Sequence, residues 1–278
     1  MRVSGDRATA RCEAVRLKNA IGGALLAASL ILGGLFSSPA CAEESAQDIV
    51  ARADTVRNPS QPFSNLTTLI DYRSGAPHDR EVLAVYSKID PGTRQFKNLV
   101  RYVDPPRDAG KMVLLGDVLW FYDPASKDSV RISPQQRLTG NAAIGDVLTV
   151  NLAVDYNPTL TGEESIEDAG RTQRQCWHLD LKAATPSATY NRVEYWVEKG
   201  SFDPIKMKVY SDSGRLLKIL YYRNFEQRLG GVRPTQAVII DAVDSAAVTT
   251  VDFSAPKFQD IPDDWFQRDY LPHFKAAD

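Results

Sequence analysis

The sequence predicts a mainly β protein built on one large antiparallel sheet, curled or closed. Three observations predict it. Apolar residues recur at period two through most of the chain, in runs rich in β-branched and aromatic side chains. Short turn signals such as Asp90-Pro91-Gly92-Thr93, Gly116-Asp117 and Asp212-Ser213-Gly214 separate those runs. Strands and helices do not alternate, which excludes a doubly wound nucleotide-binding fold.

The first 42 residues have the three parts of a secretory signal peptide. Arg2, Arg7, Arg11, Arg16 and Lys18 form a basic start, Ala20 to Phe36 is an uncharged and mostly apolar run, and Ala40-Cys41-Ala42 is a small-residue site. Cleavage is expected after Ala42. No twin arginine precedes the apolar run, so the Sec route is expected. Pro39 breaks the lipidation pattern before Cys41, so the mature protein is read as soluble and periplasmic. Removing this segment takes away five basic and two acidic residues and leaves 28 basic and 33 acidic. That acidic balance argues against a nucleic-acid partner, because phosphate neutralisation needs a basic face. Cys176 is then the one remaining cysteine, so an intrachain disulfide is excluded. Residues 43–278 show no repeat and no Pro- or Ser-rich linker, and are read as a single domain.

The mature chain opens with a helix. Ser45 is its N-cap, Asp48 lies in the first turn, Ile49, Val50, Ala53 and Val56 form an apolar stripe, and Asn58-Pro59 stops it. Strands are predicted at 66–72, 81–89, 94–103, 112–115, 118–122 and 129–132. Residues 133–158 interrupt the pattern, with a helix predicted at 142–154 and a stop at Asn157-Pro158. Strands resume at 159–167, 175–183, 192–198, 205–210, 216–225, 235–241 and 247–253. A short helix with Pro262 at its start ends the chain. Ile205, Met207 and Val209 alternate with Lys206, Lys208 and Tyr210, as on a strand with one dry face. Val118 to Tyr122 and Leu216 to Tyr222 are apolar on both faces, so they are covered on the outside or line a cavity.

The chain is poor in reactive groups. Its histidines are His78, His178 and His273, and it has no H-E-x-x-H, G-x-S-x-G, C-x-x-C or phosphate-loop motif. Cys176, His178 and Asp180 share one strand face, where i and i+2 side chains project in parallel and converge poorly on a metal ion. The favoured arrangement turns Trp177, Leu179 and Leu181 to the core and leaves those three outside. Glu163-Glu164 and Glu167-Asp168 are charged turn residues rather than an acid/base pair. No metal and no cofactor is expected, and the protein is read as a non-enzyme.

The order of motifs resembles a known family. Asp104-Pro105-Pro106-Arg107-Asp108-Ala109-Gly110-Lys111-Met112-Val113-Leu114-Leu115 is followed by Leu119-Trp120-Phe121-Tyr122-Asp123-Pro124 and Val130-Arg131-Ile132-Ser133. Tyr195-Trp196-Val197-Glu198, Asp203-Pro204-Ile205-Lys206 and Tyr210-Ser211-Asp212-Ser213-Gly214-Arg215-Leu216-Leu217-Lys218 come later. From about Ser45 to Phe266 this resembles the outer-membrane lipoprotein-sorting (LolA-like) family, in the longer branch often associated with RND- or MMPL-type exporters. The branch usually carries a stretch close to Gly-Ser-Asp-Phe-Ser-Tyr-Glu-Asp-Leu before its second half. Here 143–152 departs from it, and only Asp146 and Leu152 match.

The resemblance implies an incomplete, half-open antiparallel β-barrel of about eleven or more strands, with lid helices over an apolar cavity. It implies non-catalytic carriage of acylated lipoproteins or lipids across the periplasm. The partners implied are an inner-membrane exporter and an outer-membrane acceptor. Alternation then nominates Leu83, Val85, Phe96, Val100, Leu114, Trp120, Tyr195, Val197, Met207 and Val209 as the lipid-binding cavity face, with ordinary core as the competing reading for each. Two other functions are open to the sequence. One is a lipid-sensing or exporter-accessory binding protein. The other is an exported hydrolase, for which Cys176 and His178 are the nearest candidate pair.

Overall fold

The computed structural model describes residues 44–116 and 118–275. The expected signal peptide, its cleavage after Ala42 and the Cys41 lipidation site lie outside the described residues, as does Asp117. Helix α1 (Ala46–Arg57) starts where Ser45 accepts a hydrogen bond from the Asp48 amide at 3.1 Å. It ends at Asn58, which is extended ahead of Pro59. Ile49, Val50 and Ala53 are fully buried.

Thirteen strands follow in two meanders. The first is β1 (Phe63–Arg73), β2 (Ala76–Ile89), β3 (Phe96–Asp104), β4 (Met112–Leu115), β5 (Leu119–Asp123) and β6 (Asp128–Arg131). The second is β7 (Tyr156–Glu167), β8 (Gln173–Ala183), β9 (Arg192–Glu198), β10 (Pro204–Tyr210), β11 (Leu216–Arg228), β12 (Gly231–Asp241) and β13 (Ala247–Phe258). Antiparallel pairing of β1 with β13 joins them into one sheet, ordered β6-β5-β4-β3-β2-β1-β13-β12-β11-β10-β9-β8-β7. The end strands β6 and β7 do not pair, so the barrel is incomplete.

Laid flat, thirteen strands would measure about 60 Å across at roughly 4.8 Å each. Yet one apolar cluster gathers side chains from β1–β5 and from β7–β13, including Leu69, Leu83, Val100, Leu179, Tyr195 and Ile239. The sheet is therefore curved, with that cluster on its concave side. Its open edges are protected. β6 is four residues long, and β7 carries Glu163, Glu164 and Glu167.

The convex side has its own cover. Ala84, Tyr86, Leu99, Met112, Leu114 and Tyr122 pack beneath Ile261, Trp265, Phe266 and Leu271 from the C-terminal segment, which forms 3₁₀ turns at Asp263–Phe266 and Arg268–His273. Trp265 meets Tyr86 and Phe274 edge to face, with centroids 5.3 and 4.7 Å away. This cover explains why β2–β5 are apolar on both faces.

Three expectations change. The helix expected at 142–154 is two single turns, α2 (Ile144–Val147) and α3 (Leu152–Asp155). The chain between them is extended because side chains capture its backbone. Asn98 accepts from the Thr149 amide at 3.0 Å, Gln95 accepts from the Asn151 amide at 2.7 Å, and Arg57 donates to the Val150 carbonyl at 2.7 Å. The helical turns end before Asn157-Pro158, but that pair lies inside β7 rather than ahead of it, on an edge strand that tolerates proline. The irregular register between Pro204 and Lys206 turns Ile205 away from Met207 and Val209 and onto Cys176 and Trp196.

The C-terminal cover is predicted to be integral to the fold. Trp265→Ala should lower unfolding free energy by about 3–5 kcal/mol, read as a lower urea midpoint. An unchanged midpoint would mean the cover is dispensable.

Candidate functional site

The concave face is the only continuous apolar surface the sheet encloses among the described residues, and two chain segments lie on it. Helix α1 covers the β9–β12 half, and residues 142–155 cross the middle. Ala142, Ile144, Val147, Leu148 and Leu152 of the crossing segment belong to the concave core.

Side chains from the sheet and from α1 hold the crossing segment. Lys218, buried on β11, donates to the Asp146 carboxylate and, at 2.9 Å, to the Asn141 carbonyl. The Tyr190 hydroxyl donates to Asp146 at 2.7 Å, as does the Ala143 amide at 2.7 Å. Burial and then the Asp146 charge push the Tyr190 hydroxyl well above its ordinary pKa, so it stays a donor. Asp54 of α1 accepts from the Ala153 amide at 2.8 Å. The Thr139 hydroxyl donates at 2.6 Å to Glu81, whose pKa burial raises.

Three clefts border this segment, and Leu148 lines all of them. The first, about 120 Å³, is walled by Phe63, Leu220, Ala237, Ile239, Val251 and Phe253, floored by Val147 and Leu148, and bordered by Arg57, Arg228 and Arg233. The second, about 50 Å³, has Met207, Val209, Tyr156 and Tyr222 in its wall. The third, about 490 Å³, involves the β5–β6 side of the open seam, with Phe96, Leu115, Leu119, Ile132 and Val150 beside Asp90, Lys97 and Arg131.

The ten nominated cavity residues divide. Leu83, Val85, Val100, Tyr195, Val197, Met207 and Val209 all belong to the concave core, and Met207 and Val209 also border the second cleft. Phe96 borders the third. Leu114 and Trp120 lie on the convex face, which corrects their placement. They pair with each other across β4 and β5, and Leu114 pairs with Leu99 of the convex cluster. Their neighbours Val113, Leu119 and Phe121 point inward instead. A strand that is apolar on both faces gives alternation nothing to choose between, and the choice there fell on the wrong face.

Sequence reasoning missed the residues that border the first cleft. The β11–β12 hairpin runs past its expected ends at Phe225 and Thr235 to a turn at Leu229-Gly230, both with positive φ. That extension carries Arg228 and Arg233. The signal was present: Leu229-Gly230-Gly231 is a turn motif between two alternating runs.

Trp177, Leu179 and Leu181 point inward and His178 and Asp180 lie partly exposed on the outer face, as expected, whereas Cys176 shares that face but is covered rather than wet. Cys176 is fully buried against Trp196 and Ile205, and burial, with Glu198 nearby, pushes its thiol up to about 12. That is the reverse of an activated nucleophile. His178 stacks on Trp196 at 4.3 Å and faces Glu164 at 3.2 Å. Glu163 pairs with Lys199 and Asp168 with Arg174, so these carboxylates are already engaged. Among the described residues no cluster of three metal-ligating side chains occurs, and no helix is long and apolar enough to cross a membrane.

Comparison with known proteins adds a family to this geometry. A family model described as "Uncharacterized protein" matches residues 94–273. A LolA superfamily protein from Nitrosomonas europaea is 35% identical, with a TM-score of 0.72, covering 81% of this chain and 99% of its own. A domain described as an outer membrane lipoprotein-sorting protein, from Vibrio parahaemolyticus, is 18% identical with a TM-score of 0.68, covering 82% and 98%. A DUF1329 family protein from Desulfovibrio piger is 22% identical with a TM-score of 0.68, covering 81% and 97%. These last two bear on the fold alone. No curated protein matches the chain.

Two outcomes are expected. Lys218→Met leaves Asp146 buried without its cation and should cost about 3–5 kcal/mol in urea unfolding, with partial recovery in Lys218→Met/Asp146→Asn. No loss in the single variant would mean the pair does not hold the crossing segment. Cys176 should resist iodoacetamide at pH 8 in the native protein and react on unfolding, whereas fast native labelling would contradict the raised pKa.

Proposed function

The chain belongs to the LolA superfamily, and from that premise we propose that it is a non-catalytic periplasmic carrier that shields acyl chains of lipoproteins or lipids in its concave face. The observation that carries this reading is the first cleft. Its wall is six apolar side chains from β1, β11, β12 and β13, and its floor, Val147 and Leu148, lies between the Asp146 anchor and a 149–151 stretch held by hydrogen bonds rather than by strand pairing. An acyl chain exposed to water costs about 0.8 kcal/mol per CH₂, so a long chain costs on the order of 10 kcal/mol. A wall of this kind offsets that cost without reading the chain's identity.

Loading and release follow from the same contacts. Residues 149–151 are tied to Asn98, Gln95, Arg57 and Asn58 by hydrogen bonds that water can replace at little net cost. Shifting Leu148 would join the three clefts along one trough. An inner-membrane exporter of the RND or MMPL type and an outer-membrane acceptor are the proposed donor and recipient, with cargo passing from one to the other.

The test is native mass spectrometry of protein purified from the periplasm and then offered phospholipid or a lipopeptide. A bound acyl species is expected. It should fall at least tenfold in Phe253→Asp, which places a charge in the wall, and persist in Val243→Asp, at a position 87% exposed on the surface. A protein that stays empty, or equal loading in both variants, would overturn the reading.

A further inference from the structure

The apolar wall of the first cleft explains how a chain is held but not why arginines border it. Arg57 is paired with Asp54 at 2.8 Å, and Arg228 with Glu226 at 2.7 Å. Arg233 has no carboxylate partner among the described residues. Its bonds go to carbonyl oxygens alone: Thr55 at 2.8 Å, Val56 at 3.0 Å, Arg228 at 3.2 Å and Leu229 at 3.4 Å. Four of its five N–H donors are thereby used, and one on Nη2 is left.

Those bonds stitch β12 to the end of α1, which is a structural role. That role needs donors, and a neutral donor would serve it. A half-buried guanidinium with no counter-ion carries a desolvation cost that the stitching does not require. Burial alone lowers the pKa of Arg233, with no carboxylate acting against it. The single carboxylate lining the cleft, Asp146, is committed to Lys218 and Tyr190. Arg57, which also borders the cleft, has a buried Nε with no hydrogen-bond partner among the described residues. The border is therefore short of negative charge and of acceptors at once.

Below it the cleft becomes apolar along one strand face. Arg233, Thr235, Ala237 and Ile239 step inward on β12, six residues or about 20 Å at roughly 3.3 Å each. We propose that the first cleft binds a single-chain anionic amphiphile of the fatty-acid class, its carboxylate at Arg233 and its chain laid along Ala237 and Ile239. The inference rests on the carrier reading and narrows its cargo. The free Nη2 donor offers a carboxylate one charge-assisted hydrogen bond beside the guanidinium charge, whereas a fully acylated lipoprotein terminus brings no charge to that position.

The test separates the two readings. Palmitate and 1-hexadecanol share a chain and differ in head charge, and each competes against bound Nile red. The purified protein should prefer palmitate by about tenfold or more, as one charge-assisted contact allows. Arg233→Gln should erase that preference and Arg233→Lys should keep most of it, with thermal melts confirming that both variants fold. If the two ligands compete equally, or the preference survives Arg233→Gln, the anionic site is overturned while carriage stands. If neither ligand competes, both fall.

Discussion

The constraint on which this structure depends is a crossing. The chain begins its sheet in the middle, at β1, and works outward to the edge strand β6. It must then restart at the opposite edge, β7, before working back to pair with its own beginning. Residues 132–155 make that passage over the concave face. A peptide backbone laid on an apolar surface needs partners for its N–H and C=O groups. Asn98, Gln95, Arg57, Asn58, Asp54, Asp146 and Lys218 are polar residues inside an apolar trough for that reason. Curvature, cover and clefts all follow from the crossing. The sheet bends around the segment, the segment fills the trough, and the spaces on either side of Leu148 are what it leaves.

The two faces of the sheet solve the same problem differently. On the convex side, Trp265, Phe266 and Leu271 cover β2–β5 with side chains packed into one another. On the concave side the crossing segment also buries Ile144, Val147, Leu148 and Leu152 and is anchored by Lys218 on Asp146, but its 149–151 stretch is tied by hydrogen bonds, each worth about 1 kcal/mol net because water competes for the same groups. The first kind of cover is built to stay. Under the proposed carrier function, the 149–151 stretch is the part that gives way to a ligand.

Much of this was legible in the sequence. The period of two located the strands, and Ser45 with Asn58-Pro59 marked α1. The motif order from Asp104 to Lys218 pointed to the family. Even in the stretch that departs most from it, the two matching positions are informative, since Asp146 anchors the crossing segment and Leu152 seats it in the concave core. What was not legible is equally specific. Alternation could not orient β4 and β5, where both faces are apolar, and so Leu114 and Trp120 went to the wrong side. The helix expected at 142–154 needed backbone bonds that Asn98 and Gln95, some 50 residues away, take instead. Arg228 and Arg233 sit on a hairpin extension whose charged residues look like solvated surface until its place above the cleft is known.

The central claim is that the concave face is where an acyl chain lies. Photolabelling tests it most directly, using a palmitate that carries a diazirine at its chain end and peptide mapping of the cross-linked protein. Labels should concentrate on β11, β12, β13 and the 144–152 segment, and excess unlabelled palmitate should displace them. Labels on the convex face beneath Trp265, or scattered labels that palmitate does not displace, would contradict the account.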